Sequence, residues 1–144
     1  MLTALLFLNI LFAGVITPAA DRIVGQYLAE GQGNYCKVRI VRDADGTYSG
    51  SVYWVRDSID AKTGKVGLDV KNPDKSLRKV PLNRVKLFSG LRYNPEKDIW
   101  EGAKVYHPAL GVKADARMWL NEDNDLRLRG TVLGIGMTVT WKRL

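Results

Sequence analysis

Cysteine and histidine, the side chains most often recruited for nucleophilic or metal chemistry, occur once each, as Cys36 and His107. A lone cysteine cannot close an intramolecular disulfide or assemble a thiolate zinc site, and a lone histidine excludes a multi-histidine metal site. Cys36 shares its parity with Val38 and Ile40 in Cys36-Lys37-Val38-Arg39-Ile40. Its thiol is therefore expected to be buried and inert, because a reactive thiol needs exposure and a lowered pKa. His107 stands between Tyr106 and Pro108, a strand-end position that suits a turn better than a general base. Asp57, Asp60 and Asp69 could be imagined as a carboxylate site, but their spacing fits no calcium loop. Glycoside hydrolysis needs two carboxyls at a separation that spacing alone does not set. No nucleophile elbow is present, nor a Gly-rich loop passing from a strand into a helix. The expectation is a protein that binds rather than catalyses, without cofactor or metal.

Two constellations suit binding. Trp54, Trp100 and Trp141 are candidates to line an apolar interior. The segment Asp69-Val70-Lys71-Asn72-Pro73-Asp74-Lys75-Ser76-Leu77-Arg78 is the main irregular region. Asn72-Pro73-Asp74 fits a turn, since Asn and Asp side chains hydrogen-bond nearby backbone and proline fixes φ. Arg78 either returns to pair with Asp69 or Asp74 and clips this loop, or joins Asp69 and Asn72 in offering polar contacts to a ligand at a rim. Charge is concentrated in the same region. Residues 62–92 hold nine bases against two acids, which equals the net charge of +7 carried by the whole chain. A localised field of this sign attracts anions.

The elements that would position these groups repeat with period two. Leu126-Arg127-Leu128-Arg129 alternates, as do residues 113–120 and 137–142. Each run would bury one face and wet the other. Asp43-Ala44-Asp45-Gly46 suits a hairpin loop, and turn signals recur at 94–98, 108–111, 121–125 and 134–136. Adding Ile23 to Leu28 gives about eight strands with short links. A helical turn is expected near Asp74 to Arg78. Trp100 and Gly102 share one parity while Ala103 and Val105 take the other, a conflict that a β-bulge at Gly102 would repair. Sequential hairpins favour an all-β, antiparallel up-and-down barrel over a sandwich, because closure removes exposed edges. Ala114, Ala116, Gly102 and Gly130 form the expected small inward set. The space they leave would take a ligand or be filled by the tryptophans.

The first 20 residues carry no charged side chain, and Leu5 to Ile16 is almost continuously apolar before Thr17-Pro18-Ala19-Ala20. This resembles a secretory signal segment with cleavage near Ala19 or Ala20, although no Lys or Arg precedes the apolar core; an uncleaved leader would act as an anchor. Residues 21–144 then form one domain, placed in the periplasm or outside the cell, which argues against nucleic acid as a partner. The 46% hydrophobic and 26% charged composition is that of a folded globular chain.

Several stretches together resemble the bacterial domain of unknown function (DUF) family 2147. They are Ile23-Val24-Gly25-Gln26-Tyr27, Asp45-Gly46-Thr47-Tyr48-Ser49-Gly50, the Asp69–Arg78 segment, Trp100-Glu101-Gly102-Ala103-Lys104-Val105-Tyr106-His107-Pro108, Leu126-Arg127-Leu128-Arg129-Gly130 and Thr140-Trp141-Lys142-Arg143. The resemblance implies a small exported protein with a lipocalin-like (calycin) barrel, and it brings no activity or cofactor. Tyr27 stands where the family often has tryptophan, and His107 where aspartate is usual. Two functions from different classes follow. One is binding of a small apolar or amphipathic ligand, with Trp54, Trp100 and Trp141 lining and Asp69, Asn72 and Arg78 at the rim. The other is docking of the basic 62–92 face onto anionic envelope lipid or polymer, without a pocket.

Overall fold

A computed structural model describes residues 18–31 and 34–144. The leader expected at residues 1–20 lies outside the described residues, apart from Pro18, Ala19 and Ala20. Among the described residues, eight antiparallel strands close into a barrel in chain order: β1 (Gly25–Gly31), β2 (Asn34–Arg42), β3 (Tyr48–Val55), β4 (Lys86–Asn94), β5 (Ile99–His107), β6 (Val112–Leu120), β7 (Leu126–Val132) and β8 (Ile135–Arg143). Alternation becomes wall geometry directly. Cys36, Val38 and Ile40 are buried along β2, and Leu126 and Leu128 along β7.

Two bulges break the alternation. Between Trp100↔Met118 and Ala103↔Ala116, β5 advances three residues while β6 advances two. Gly102 absorbs the excess with φ of 86°. The bulge expelled the residue that made it: Gly102 is exposed rather than part of the inward set, whereas Ala116 is buried. On β3 the register passes from Val38↔Val52 to Cys36↔Val55, so one extra residue sits between two inward valines.

One end of the barrel is plugged. Residues Ala19–Ile23 form a 3-10 turn, so β1 begins at Gly25 rather than near Ile23. Ile23 is fully buried. The Trp100 indole Nε1 donates to the Ala20 carbonyl at 2.9 Å, and the Tyr27 hydroxyl donates to the Ile23 carbonyl at 2.7 Å. The Arg143 guanidinium lies 4.8 Å from the Tyr27 ring centre and donates to the carbonyls of Arg22 and Val24. These contacts satisfy backbone groups that the turn cannot pair internally.

The other end carries the long β3–β4 connection and the short β5–β6 and β7–β8 turns. Residues 56–85 are tied by isolated bridges Ile59↔Val66 and Leu68↔Pro81 and by 3-10 turns at Lys75–Leu77 and Leu82–Arg84. Asp74 caps the first of these turns, accepting from the Ser76 backbone N–H at 2.9 Å. β1 and β8 complete the barrel through Tyr27↔Arg143 and Leu28↔Lys142, near the plugged end.

Candidate functional site

A cavity of about 950 Å³ runs from the barrel interior out to the end opposite the plug, where the exposed Val70, Leu110, Ile135 and Met137 border it. Its walls are mainly apolar, with Val52 from β3, Leu87 from β4, Leu128 from β7, and Val139 and Trp141 from β8. Ala114 and Gly130 face it as well, and a Cβ built on Gly130 would come within 3.1 Å of the Ala114 methyl. The small residues therefore keep space open that larger side chains would occupy.

Polar groups gather near the mouth. Asp69 lines the cavity at 1% exposure. Its Oδ1 accepts from the Tyr106 hydroxyl at 2.7 Å and its Oδ2 accepts from Asn72 Nδ2 at 2.9 Å. A buried carboxylate without such donors would be strongly disfavoured. Burial pushes the Tyr106 phenol well above its ordinary pKa, and its bond to Asp69 adds to the shift. Burial also lowers the His107 imidazole below its ordinary value. His107 ends β5, and its carbonyl accepts from the backbone N–H groups of Leu110 and Gly111 to close the β5–β6 turn. Burial raises the Cys36 thiol from 9.0 to about 11, which keeps it protonated and inert at neutral pH.

A strap crosses this region. The Asp69 N–H donates to the Val80 carbonyl at 2.9 Å, and Lys71 Nζ donates to the Ala109 carbonyl at 2.9 Å. The strap approaches the β5–β6 turn so closely that a Cβ on Gly111 would meet the Lys71 carbonyl oxygen at 2.4 Å.

The expected site residues separate into distinct places. Trp141 and Asp69 line the cavity. Asn72 is buried behind Asp69, as its donor, and its own Oδ1 accepts from the Asp74 N–H at 2.9 Å. Arg78 is exposed and clips the loop by donating from Nε to the Asn72 carbonyl at 2.8 Å, not by pairing with Asp69 or Asp74. Trp100 sits at the plugged end, outside the lining. Trp54 is 38% exposed on the outer wall, with Lys37 Nζ 4.9 Å from its ring centre. The extra residue on β3 explains this: Val52 and Val55 take the inward positions on either side of Tyr53 and Trp54.

Asp57 borders the mouth of the cavity that Asp69 lines, whereas Asp60 does not. Asp60 caps a turn, accepting from the N–H groups of Lys62 and Thr63, while Asp57 is exposed. Among the described residues no three His, Cys, Asp or Glu side chains gather as a metal site. Tyr106 is the candidate site residue that alternation misses. It and Val105 are consecutive yet both line the cavity. Its partner Asp69 lies 37 residues away in the chain, so no local pattern pairs them. Of the basic 62–92 stretch, seven bases belong to the mouth connection and two, Lys86 and Arg92, to β4.

The family model described as "Uncharacterized protein conserved in bacteria (DUF2147)" matches residues 25–143. The chain belongs to the DUF2147 family. This DUF2147 barrel is similar to a solved structure titled "Protein HP1028 from the human pathogen Helicobacter pylori belongs to the lipocalin family". The two share 25% sequence identity with a TM-score of 0.66, over 84% of this chain and 82% of that one. No curated protein matches the chain. The lipocalin-like fold of this DUF2147 member is consistent with a binding protein, and the cavity runs from the interior of its closed barrel to the mouth.

Proposed function

We propose that this protein is an exported binding protein for an amphipathic small molecule. The apolar part of the ligand lies against Val52, Leu128, Val139 and Trp141. A polar end carrying hydrogen-bond donors faces the Asp69 carboxylate, whose two bonds leave lone pairs unused. The observation that supports this most is the cavity itself, about 950 Å³ and open at one end. That is near the upper range for small-molecule sites, roughly 300–1,000 Å³. Burial of apolar ligand surface drives binding at roughly 25 cal/mol per Å², less the cost of ordering the ligand. Export is supported by the apolar leader and places the protein in the periplasm or beyond it.

The test is titration with a neutral, lipophilic naphthylamine dye whose emission rises in apolar surroundings, followed by displacement with long-chain amines and alcohols. Saturable binding of one dye per chain is expected. Ala114→Trp should fill the cavity and weaken binding about tenfold or more, equivalent to about 1.4 kcal/mol. Unsaturable dye binding, or equal affinity in the folded Ala114→Trp variant, would overturn the reading.

A further inference from the structure

The mouth of the barrel carries an apolar crown that the fold does not use. The β7–β8 turn is two residues long, Leu133-Gly134, between the partners Val132 and Ile135. Both turn residues have positive φ, 50° and 78°. Such a hairpin turn favours Asn, Asp or Gly at its first position, and a leucine there is strained. This leucine is nevertheless 98% exposed, so it contributes almost nothing to the core, and Ile135 beside it is 80% exposed. Two other mouth segments add Val70 at 65% and Leu110 at 60%. Exposed apolar residues grouped on separate loops around one opening mark a contact surface rather than chance exposure.

Charge says what the surface meets. The mouth connection, residues 56–85, carries eight Lys and Arg against four Asp. At the plugged end the hairpin turns 43–47, 94–98 and 121–125 carry seven Asp and Glu against one Lys. The barrel is therefore polarised along its axis, with its basic pole at the apolar crown. Apolar tips surrounded by lysine suit an anionic lipid bilayer, where the tips enter the headgroup–acyl boundary and the bases meet lipid phosphates.

We propose that the barrel docks mouth-first on anionic bilayers, with Leu133, Ile135, Leu110 and Val70 inserting. This extends the binding reading by facing the cavity toward a source of amphipathic molecules. It does not require the cavity to be filled.

The test uses the full chain with a polarity-sensitive fluorophore placed through Leu110→Cys or, separately, Asp123→Cys at the plugged end. The buried Cys36 thiol should label slowly, and the wild-type chain gives the background. Vesicles of phosphatidylcholine with brominated phosphatidylglycerol, and of brominated phosphatidylcholine alone, are titrated in. The mouth label should shift to the blue and be quenched several-fold by the brominated anionic vesicles. That response should be much smaller with the neutral vesicles and weaken at high salt. The Asp123→Cys label should stay in water, even if the leader tethers the chain to the vesicle. Equal responses of the two labels, or a mouth label that stays in water, would overturn the proposal and leave a protein partner as the occupant of the crown. Adding Leu133→Asn separates docking from folding: it should raise the melting temperature while reducing the response of the Leu110→Cys label. Melting unchanged or raised with a full response would also overturn the proposal. Ala114→Trp should dock normally, so loss of dye binding and loss of docking are distinguishable.

Discussion

Leu133 and Asp69 show two opposite ways in which a residue can be costly. Leu133 adopts a left-handed backbone that suits asparagine, and gains no burial in return. Replacing it by Asn should stabilise the fold by about 1 kcal/mol, measured by urea denaturation. Asp69 is buried, but its oxygens are held by Tyr106 and Asn72. Tyr106→Phe removes one donor from this carboxylate and should cost about 1.5–3 kcal/mol. A double-mutant cycle with Asp69→Asn would read the coupling, and a value near zero would mean that the pair merely coincides in space. Neither residue announces itself in a pattern of alternating hydrophobicity. Leu133 looks like any apolar residue near a strand end, and the Asp69–Tyr106 contact joins the long connection to β5.

At the scale of elements, the strap from Asp69 to Asn72 depends on the turn it crosses. Gly111 has φ of 66° and leaves room for the Lys71 carbonyl. Gly111→Ala should strain the turn and displace the strap, costing about 1–3 kcal/mol. Hydrogen exchange should show the effect as faster exchange at Asp69 N, which is bonded to Val80 in the native state. The strands themselves were legible because core and solvent lie on opposite faces of a half-buried sheet, which writes period two into stretches such as Leu126–Arg129. The bulge at Gly102 was legible for the same reason, as a slip in parity, although which residue it would push outward was not. The counterpart on β3 was hidden, since Tyr53 and Trp54 are both aromatic and neither disturbs the apolar pattern visibly. That is why Trp54, named as lining, stands on the outer wall. Trp100, expected in the lining, is held at the plugged end by the 3-10 turn that receives its indole N–H, a contact 80 residues away in the chain that no local pattern reveals. The turn at Asp74 to Arg78 was readable from Asp74 and Ser76, whose cap is local, whereas the depth of Asn72 depends on Asp69 and the fold around it.

The whole molecule responds to pH through groups the core has dehydrated. Burial raises Cys36 from 9.0 to about 11 and Tyr27 from 10.0 to about 12. Folding holds both protonated, so their stabilisation is intact below about pH 9 and is lost as pH climbs through the folded values. Two units on one group correspond to about 2.7 kcal/mol. Urea midpoints should therefore stay level near neutrality and fall between about pH 9 and 12, with Cys36→Ala moving the onset toward about pH 10. A midpoint that stayed level to pH 12 would contradict this account.

The pairing of β1 with β8 has a consequence for where the wall would give way. Among the described residues the ladder between those strands runs through Tyr27↔Arg143 and Leu28↔Lys142, near the plug. Beyond it the seam is closed by side chains, with Ala29 and Trp141 both buried. A joint poor in backbone bonds is the one that should part first when the barrel loosens, so the zip between first and last strands should undo from the mouth downward.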